Sequence, residues 1–200
     1  MIGKRQSQLK REVIGILSTE PGCGCTHLSI MLANYLSSVR GYKVCIAEFN
    51  ENHTFEKLEQ AYEGSKTIDD RTRSFYILKT KYFKNIRQEE MPDLLSEHYD
   101  YMIIDFGCGF EKRKEEFKRC KRKFIIGSLC DWKISTYIQF LEDSSKELGK
   151  EQWEFFSVMG DEKLRRKLEK SYRIQIHQVP FEESPFFIDK KNLSFFGHIL

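Results

Sequence analysis

Residues 18–38 read STEPGCGCTHLSIMLANYLSS, and their chemistry is that of an anion cradle. Gly22 and Gly24 lie two apart, after an apolar run (EVIGILS, residues 12–18) and before a helical pattern. A strand, a glycine-rich turn and a helix start aim backbone N–H groups at one point, where the helix N-terminus adds positive potential. Phosphate is the anion such a loop takes. A phosphate loop of this kind normally ends in a lysine, but Cys25 stands there, followed by Thr26 and His27. The thiols add a second chemistry. Cys23, Cys25 and Cys108 form a set able to ligate zinc or an iron–sulfur cluster, although their spacing matches no standard metal signature. A helix N-terminus lowers a thiol's pKa, which makes Cys25 the candidate for a reactive thiol, although plain thiols are the simpler expectation. His27 reads as a helix-start surface residue rather than a ligand.

These residues need elements to hold them. Strands are expected at 12–18, 42–49, 100–106, 123–130, 153–159 and 173–179, with weaker ones at 75–78 and 82–83. Helices are expected at 26–38, 54–62, 88–98 (interrupted near Pro92), 112–122, 135–148, 161–171 and 191–200. Near-continuous apolar strands separated by helices imply an α/β, doubly wound, mostly parallel sheet with helices on both faces. One domain over residues 1–200 accommodates it. Ligands in such sheets bind beyond the carboxyl ends of the strands. The loops at 19–26, 48–52 and 105–109 all leave those ends and are expected to converge.

Lysine plus arginine number 33 and aspartate plus glutamate 30, so no basic excess points to nucleic acid. The charge-dense run from Glu111 to Lys123 mixes both signs and reads as a solvated helix face. The N-terminus is polar to Glu12, and no apolar run approaches the roughly 18 residues of a membrane span. A cytoplasmic protein with its six cysteines as free thiols is the expectation.

The loop resembles the deviant Walker A loop of the MinD/ParA family of P-loop ATPases, K-G-G-x-G-K-[ST]-[ST]. Glu20 falls on the first lysine, Pro21 on the first glycine and Cys25 on the second lysine, while Gly22, Gly24 and Thr26 match and His27 replaces the next hydroxyl. Later landmarks recur in order. KVCIAEFNEN resembles the second strand, with Glu48 and Asn50 on the family's aspartate pair. YDYMIIDFGCG resembles the Walker B strand, with Asp105 on its acid. SLCDWKIS resembles the loop after the next strand, and IHQVPFEES the late proline turn that helps enclose the base, with Pro180 in place. The asparagine usual after the preceding strand is not evident near Val158 and Met159. The resemblance implies ATP or ADP with Mg²⁺, weakly bound or absent. It makes Gly22, Cys23, Gly24, Cys25, Thr26, His27, Glu48, Asn50, Asp105 and Pro180 the nucleotide-site candidates, with Thr26 and Asp105 for the metal.

The substitutions oppose catalysis. Phosphoryl transfer is mostly positioning and charge stabilisation. Both family lysines are gone, Glu20 adds a negative charge and Pro21 removes an N–H. One lost donor costs about 100- to 1000-fold in rate. No catalytic residue is therefore assigned. Lys112 and Arg113, just after the Asp105 loop, are the nearest cations able to restore charge, although surface positions are the simpler expectation.

Near the C-terminus PFFIDKKNLSFFGHIL is rich in phenylalanine. Family members that act at the division site end in a membrane-seeking amphipathic helix. Here only Lys190 and Lys191 supply nearby charge, so a helix packing back on the domain is favoured over peripheral membrane contact. Phe186, Phe187 and Phe195 are alternatives for a partner surface. The preferred function is an inactive MinD/ParA-like scaffold, positioning or regulatory module acting through a protein partner or homodimer. The alternatives are an atypical ATPase with a relocated cation, and a thiol sensor using Cys23 and Cys25.

Overall fold

The computed structural model describes residues 11–63 and 73–200. Strands β1 (Glu12–Ser18), β2 (Val44–Glu48), β3 (Ser74–Ile77), β4 (Thr80–Phe83), β5 (Tyr101–Cys108), β6 (Arg122–Ser128), β7 (Trp153–Val158) and β8 (Ile176–Gln178) form one sheet. Its order is β3-β4-β2-β5-β1-β6-β7-β8. Neighbours are parallel except in the β3–β4 hairpin at one edge. The helices are α1 (Cys25–Asn34), α2 (Thr54–Glu63), α3 (Met91–Ser96), α4 (Phe110–Arg119), α5 (Ile134–Asp143), α6 (Glu162–Tyr172) and α7 (Leu193–His198).

Side chains alternate across a strand, so the apolar runs feed two buried faces. Ile14, Ile16, Ile46, Ile103, Phe124 and Ile126 point toward α1, α2 and α7. Leu17, Ala47, Met102, Ile104, Ile125 and Phe155 point the other way, under α3 to α6. Burying each large apolar side chain is worth about 1.5–3 kcal/mol. β1 lies between β5 and β6; the helix leaving β1 covers one face, and those leaving β5 and β6 cover the other. That reversal opens a crevice at the carboxyl ends of these strands. The doubly wound, mostly parallel sheet is the one the sequence implied.

Several element ends differ from expectation. The first helix gives way at Tyr35–Val39 to a wider turn, in which the Arg40 N–H donates to the Tyr35 carbonyl. Pro92 starts α3 rather than interrupting it, because first-turn N–H groups need no helical partner. The last strand begins only at Ile176, because Arg173 adopts a left-handed conformation (φ +54°) that closes α6.

The C-terminal segment packs back on the sheet. Phe196 and Ile199 are buried, Phe196 stacks on Tyr35 at 5.3 Å, and Arg122 donates to the Ile199 carbonyl. Phe186 is also buried and Phe195 meets Phe156, so of the three phenylalanines weighed for a partner surface only Phe187 is exposed. Among the described residues, no helix is long and apolar enough to cross a membrane.

The connections after β6 and β7 touch at Gly160 (φ +106°). A Cβ there would lie 2.3 Å from Leu129 Cβ and 3.0 Å from its carbonyl oxygen. Gly160→Ala is expected to cost more than about 2 kcal/mol in urea unfolding, from combined backbone strain and overpacking. A loss below about 0.5 kcal/mol would show that this junction is not close-packed.

Candidate functional site

The loop between β1 and α1 is shaped by its glycines. Gly22 (φ +74°) and Gly24 (φ +80°, ψ +21°) both take left-handed conformations that a side chain would strain. The Thr19 N–H anchors the loop to the Ile126 carbonyl of β6 at 3.0 Å. No side chain caps α1, so its first-turn N–H groups are left to whatever occupies the loop. A Cβ on Gly22 would meet only the Lys133 ammonium, at 3.4 Å.

Asp105 is the centre of the site and has no exposed surface. Its Oδ2 accepts from Thr26 Oγ1 at 2.5 Å. Its Oδ1 accepts from the Gly107 N–H at 2.9 Å, and Cys25 Sγ lies 3.1 Å from the same oxygen. Burial raises the Asp105 carboxyl above its ordinary value; the hydrogen bonds from Thr26, Cys25 and Gly107 pull it back. Thr26 and Asp105 thus meet as expected. Their hydroxyl and carboxylate are hard oxygen ligands of the kind Mg²⁺ prefers.

Cys25 argues against the reactive-thiol alternative. Its side chain turns inward, with Sγ 3.3 Å from the Ile16 carbonyl as well as against Asp105. Burial, reinforced by the Asp105 charge, pushes this thiol well above its ordinary value. Desolvation overrides the helix N-terminus, and the group is a protonated thiol rather than a reactive thiolate. Cys23 is buried too, with its pKa raised by burial and drawn back by Lys133. The three thiols do not form one cluster: Cys23 faces Glu20 and Lys133, whereas Cys25 faces Asp105. Among the described residues, no group of three His, Cys, Asp or Glu side chains is arranged to hold a metal ion.

Glu48 and Asn50 reach the same region and are tied into the scaffold. Glu48 is fully buried, and its Oε1 accepts from the Thr54 and Phe55 N–H groups at 2.6 and 3.3 Å, capping α2. Its pKa is raised, chiefly by burial. Asn50 donates to the Asp105 carbonyl at 3.0 Å and accepts from the Asn52 N–H at 2.9 Å, bridging two loops.

Pro180 and His27 lie on the other side of the glycine loop. With Gly22, Gly24, Leu28, Met31, Val158 and Val179 they line a largely apolar cavity of about 510 Å³. Burial lowers the pKa of the His27 imidazole, against the pull of Glu182, so a neutral ring faces the cavity at pH 7. His27 is half-buried, not the surface residue expected.

The cations fall differently from expectation. Arg113 is only 11% exposed and serves as a clamp. It donates to the Phe49 carbonyl at 2.9 Å and the Cys108 carbonyl at 3.0 Å, and pairs with Glu51 at 3.6 Å. Lys112 is exposed and lines clefts beside α4, away from the glycine loop. The cation at the loop is Lys133, whose Nζ donates to the Pro21 carbonyl at 2.8 Å. Its signal was present in SLCDWKIS, a lysine just beyond the strand that neighbours β1.

Thiol burial gives a direct check. Brief alkylation of the native chain at mildly alkaline pH is expected to modify Cys108 and Cys130, which are partly exposed. Cys25, Cys45 and Cys120 are expected to stay unmodified, the last two with pKa pushed up to about 12 by burial. Mass mapping that finds Cys25 modified first would favour the reactive-thiol alternative.

No family model and no curated protein matches the sequence. Solved structures do match the fold. A ParA family ATPase from Chlorobium tepidum is 17% identical with a TM-score of 0.65, covering 88% of this chain and 86% of that one. A plasmid partition protein from Borrelia burgdorferi bound to AMPPNP is 14% identical with a TM-score of 0.67, covering 95% and 97%. The MinC:MinD cell division complex of Aquifex aeolicus gives 16% identity and a TM-score of 0.66, covering 94% and 95%. With its mostly parallel eight-stranded sheet, glycine loop and buried Thr26–Asp105 pair, this chain has the fold of the ParA and MinD P-loop ATPases.

Proposed function

We propose that this chain is a nucleotide-pocket protein that has lost hydrolysis and works as a cytoplasmic scaffold, positioning or regulatory module. The observation that carries this reading is Cys25. At the loop position of a phosphate-binding lysine it presents a protonated thiol, turned into the core between Ile16 and Asp105. The loop's own side chains therefore bring no positive charge to a phosphate, and Glu20 brings a negative one. Glu48 Oε1 is committed to the start of α2 while its Oε2 has no partner, and Asn50, an amide, cannot take a proton from a water as a carboxylate does.

The pocket itself supports weak binding of ATP or ADP with Mg²⁺. The uncapped start of α1 and the left-handed glycines suit phosphate oxygens. Thr26 and Asp105 are the residues to hold Mg²⁺, which when bound neutralises phosphate charge. The apolar cavity beside Pro180 takes the base, with no asparagine at Val158 or Met159 to read its edge. The Borrelia neighbour's bound AMPPNP supports a nucleotide, and the MinC:MinD complex supports a protein partner or homodimer. Exposed Phe181 and Met159 at the cavity mouth are apolar surface available to such a partner.

A second reading, an active hydrolase using a cation from outside the loop, has Lys133 in its favour. Titration calorimetry with Mg·ATP, run beside a phosphate-release assay, separates the two. Micromolar-to-millimolar binding without release above the protein-free rate is expected. Steady turnover abolished by Thr26→Ala or Asp105→Asn would refute the inactive reading.

Glu20 gives an independent expectation. Its carboxylate, 3.8 Å from Cys23 Sγ, repels a phosphate in the loop. Removing one such charge near the surface is worth about 1 kcal/mol, so Glu20→Gln is expected to tighten Mg·ATP binding about fivefold. Unchanged affinity would place the phosphates away from this loop.

A further inference from the structure

Lys133 enters from the end of β6, the strand beside β1, and opens α5. Its ammonium lies 2.8 Å from the Pro21 carbonyl, 3.9 Å from Cys23 Sγ and 3.4 Å from where a Gly22 Cβ would stand. It therefore covers the glycine half of the loop. Among the described residues, that carbonyl and that thiol are its side-chain polar contacts. Ordering a lysine side chain onto a neutral carbonyl costs rotamer entropy that a single hydrogen bond barely returns. An ammonium carries three donors, so one can stay on Pro21 while another takes an anion.

We propose that Lys133 is the phosphate-binding cation of this site, reaching the loop from the start of α5, beyond the neighbouring strand β6, to the place that a loop lysine at position 25 would serve. Its ligand is a terminal phosphate oxygen of a nucleoside di- or triphosphate. The inference rests on the nucleotide-pocket reading above, and adds to it the residue that makes a loop without its own lysine able to hold an anion.

The test uses the full chain and Mg·ADP. Lys133→Met keeps the aliphatic stem and removes the charge, and Lys133→Arg keeps the charge. Calorimetry at low and physiological salt is expected to show Lys133→Met at least about tenfold weaker with a shallower salt dependence, and Lys133→Arg within about threefold of wild type. A structural role alone would not move the second readout. The Lys133 side-chain ε-carbon resonance, assigned by its loss in Lys133→Met, is expected to shift when Mg·ADP is added to wild type. If wild type binds and Lys133→Met binds equally well, this inference fails and the nucleotide pocket stands. If wild type binds neither Mg·ADP nor pyrophosphate, both fall.

Discussion

A carboxylate with no exposed surface organises this end of the molecule. Asp105 lies near the carboxyl end of β5 and receives Cys25 and Thr26 from the first turn of α1 and the Gly107 N–H from its own strand. Its backbone carbonyl receives Asn50 and the Phe49 N–H from the β2 side. A buried charge is tolerable only when its oxygens are satisfied, and each unsatisfied buried partner costs about 1–3 kcal/mol. The three loops that leave β1, β2 and β5 are thus held in one arrangement by a single side chain and its peptide group. Arg113 adds a second tie, joining the Phe49 and Cys108 carbonyls.

That arrangement explains how the glycine loop holds its shape without a lysine at position 25. A lysine at position 25 would send a charge toward the ligand. Cysteine is short and turns inward, where the thiol has Asp105 and the Ile16 carbonyl beside it. The loop keeps its shape because the shape belongs to Gly22, Gly24 and the backbone anchor at Ile126. Shape and charge have come apart: the glycines and α1 set the cradle, and the cation nearest to it belongs to another loop.

Much of this was legible from residue order. The apolar runs marked β1, β5, β6 and β7 closely, because strands buried on both faces read as continuous hydrophobic segments. Gly22, Gly24, Thr26 and Asp105 were legible for the same reason, since each stands at the carboxyl end of such a run or just after it. What failed depended on side-chain direction across the sheet. The activating helix start at Cys25 is visible in sequence, whereas the burial that overrides it is tertiary. That one oxygen of Glu48 caps α2 is likewise tertiary, and Arg113, expected at the surface, clamps two carbonyls. Lys112 and Arg113 are nearer to Asp105 along the chain, but Lys133 reaches the glycine loop because β6 adjoins β1, which only the sheet order reveals.

The central claim is that the cradle still holds a nucleotide's phosphates and no longer breaks their bonds. Phosphorus NMR of Mg·ATP with an equal amount of the chain addresses both halves in one sample. The account predicts broadened or shifted β and γ resonances that persist without a growing inorganic phosphate signal. Resonances identical to free Mg·ATP, or inorganic phosphate rising steadily above the protein-free control, would contradict it.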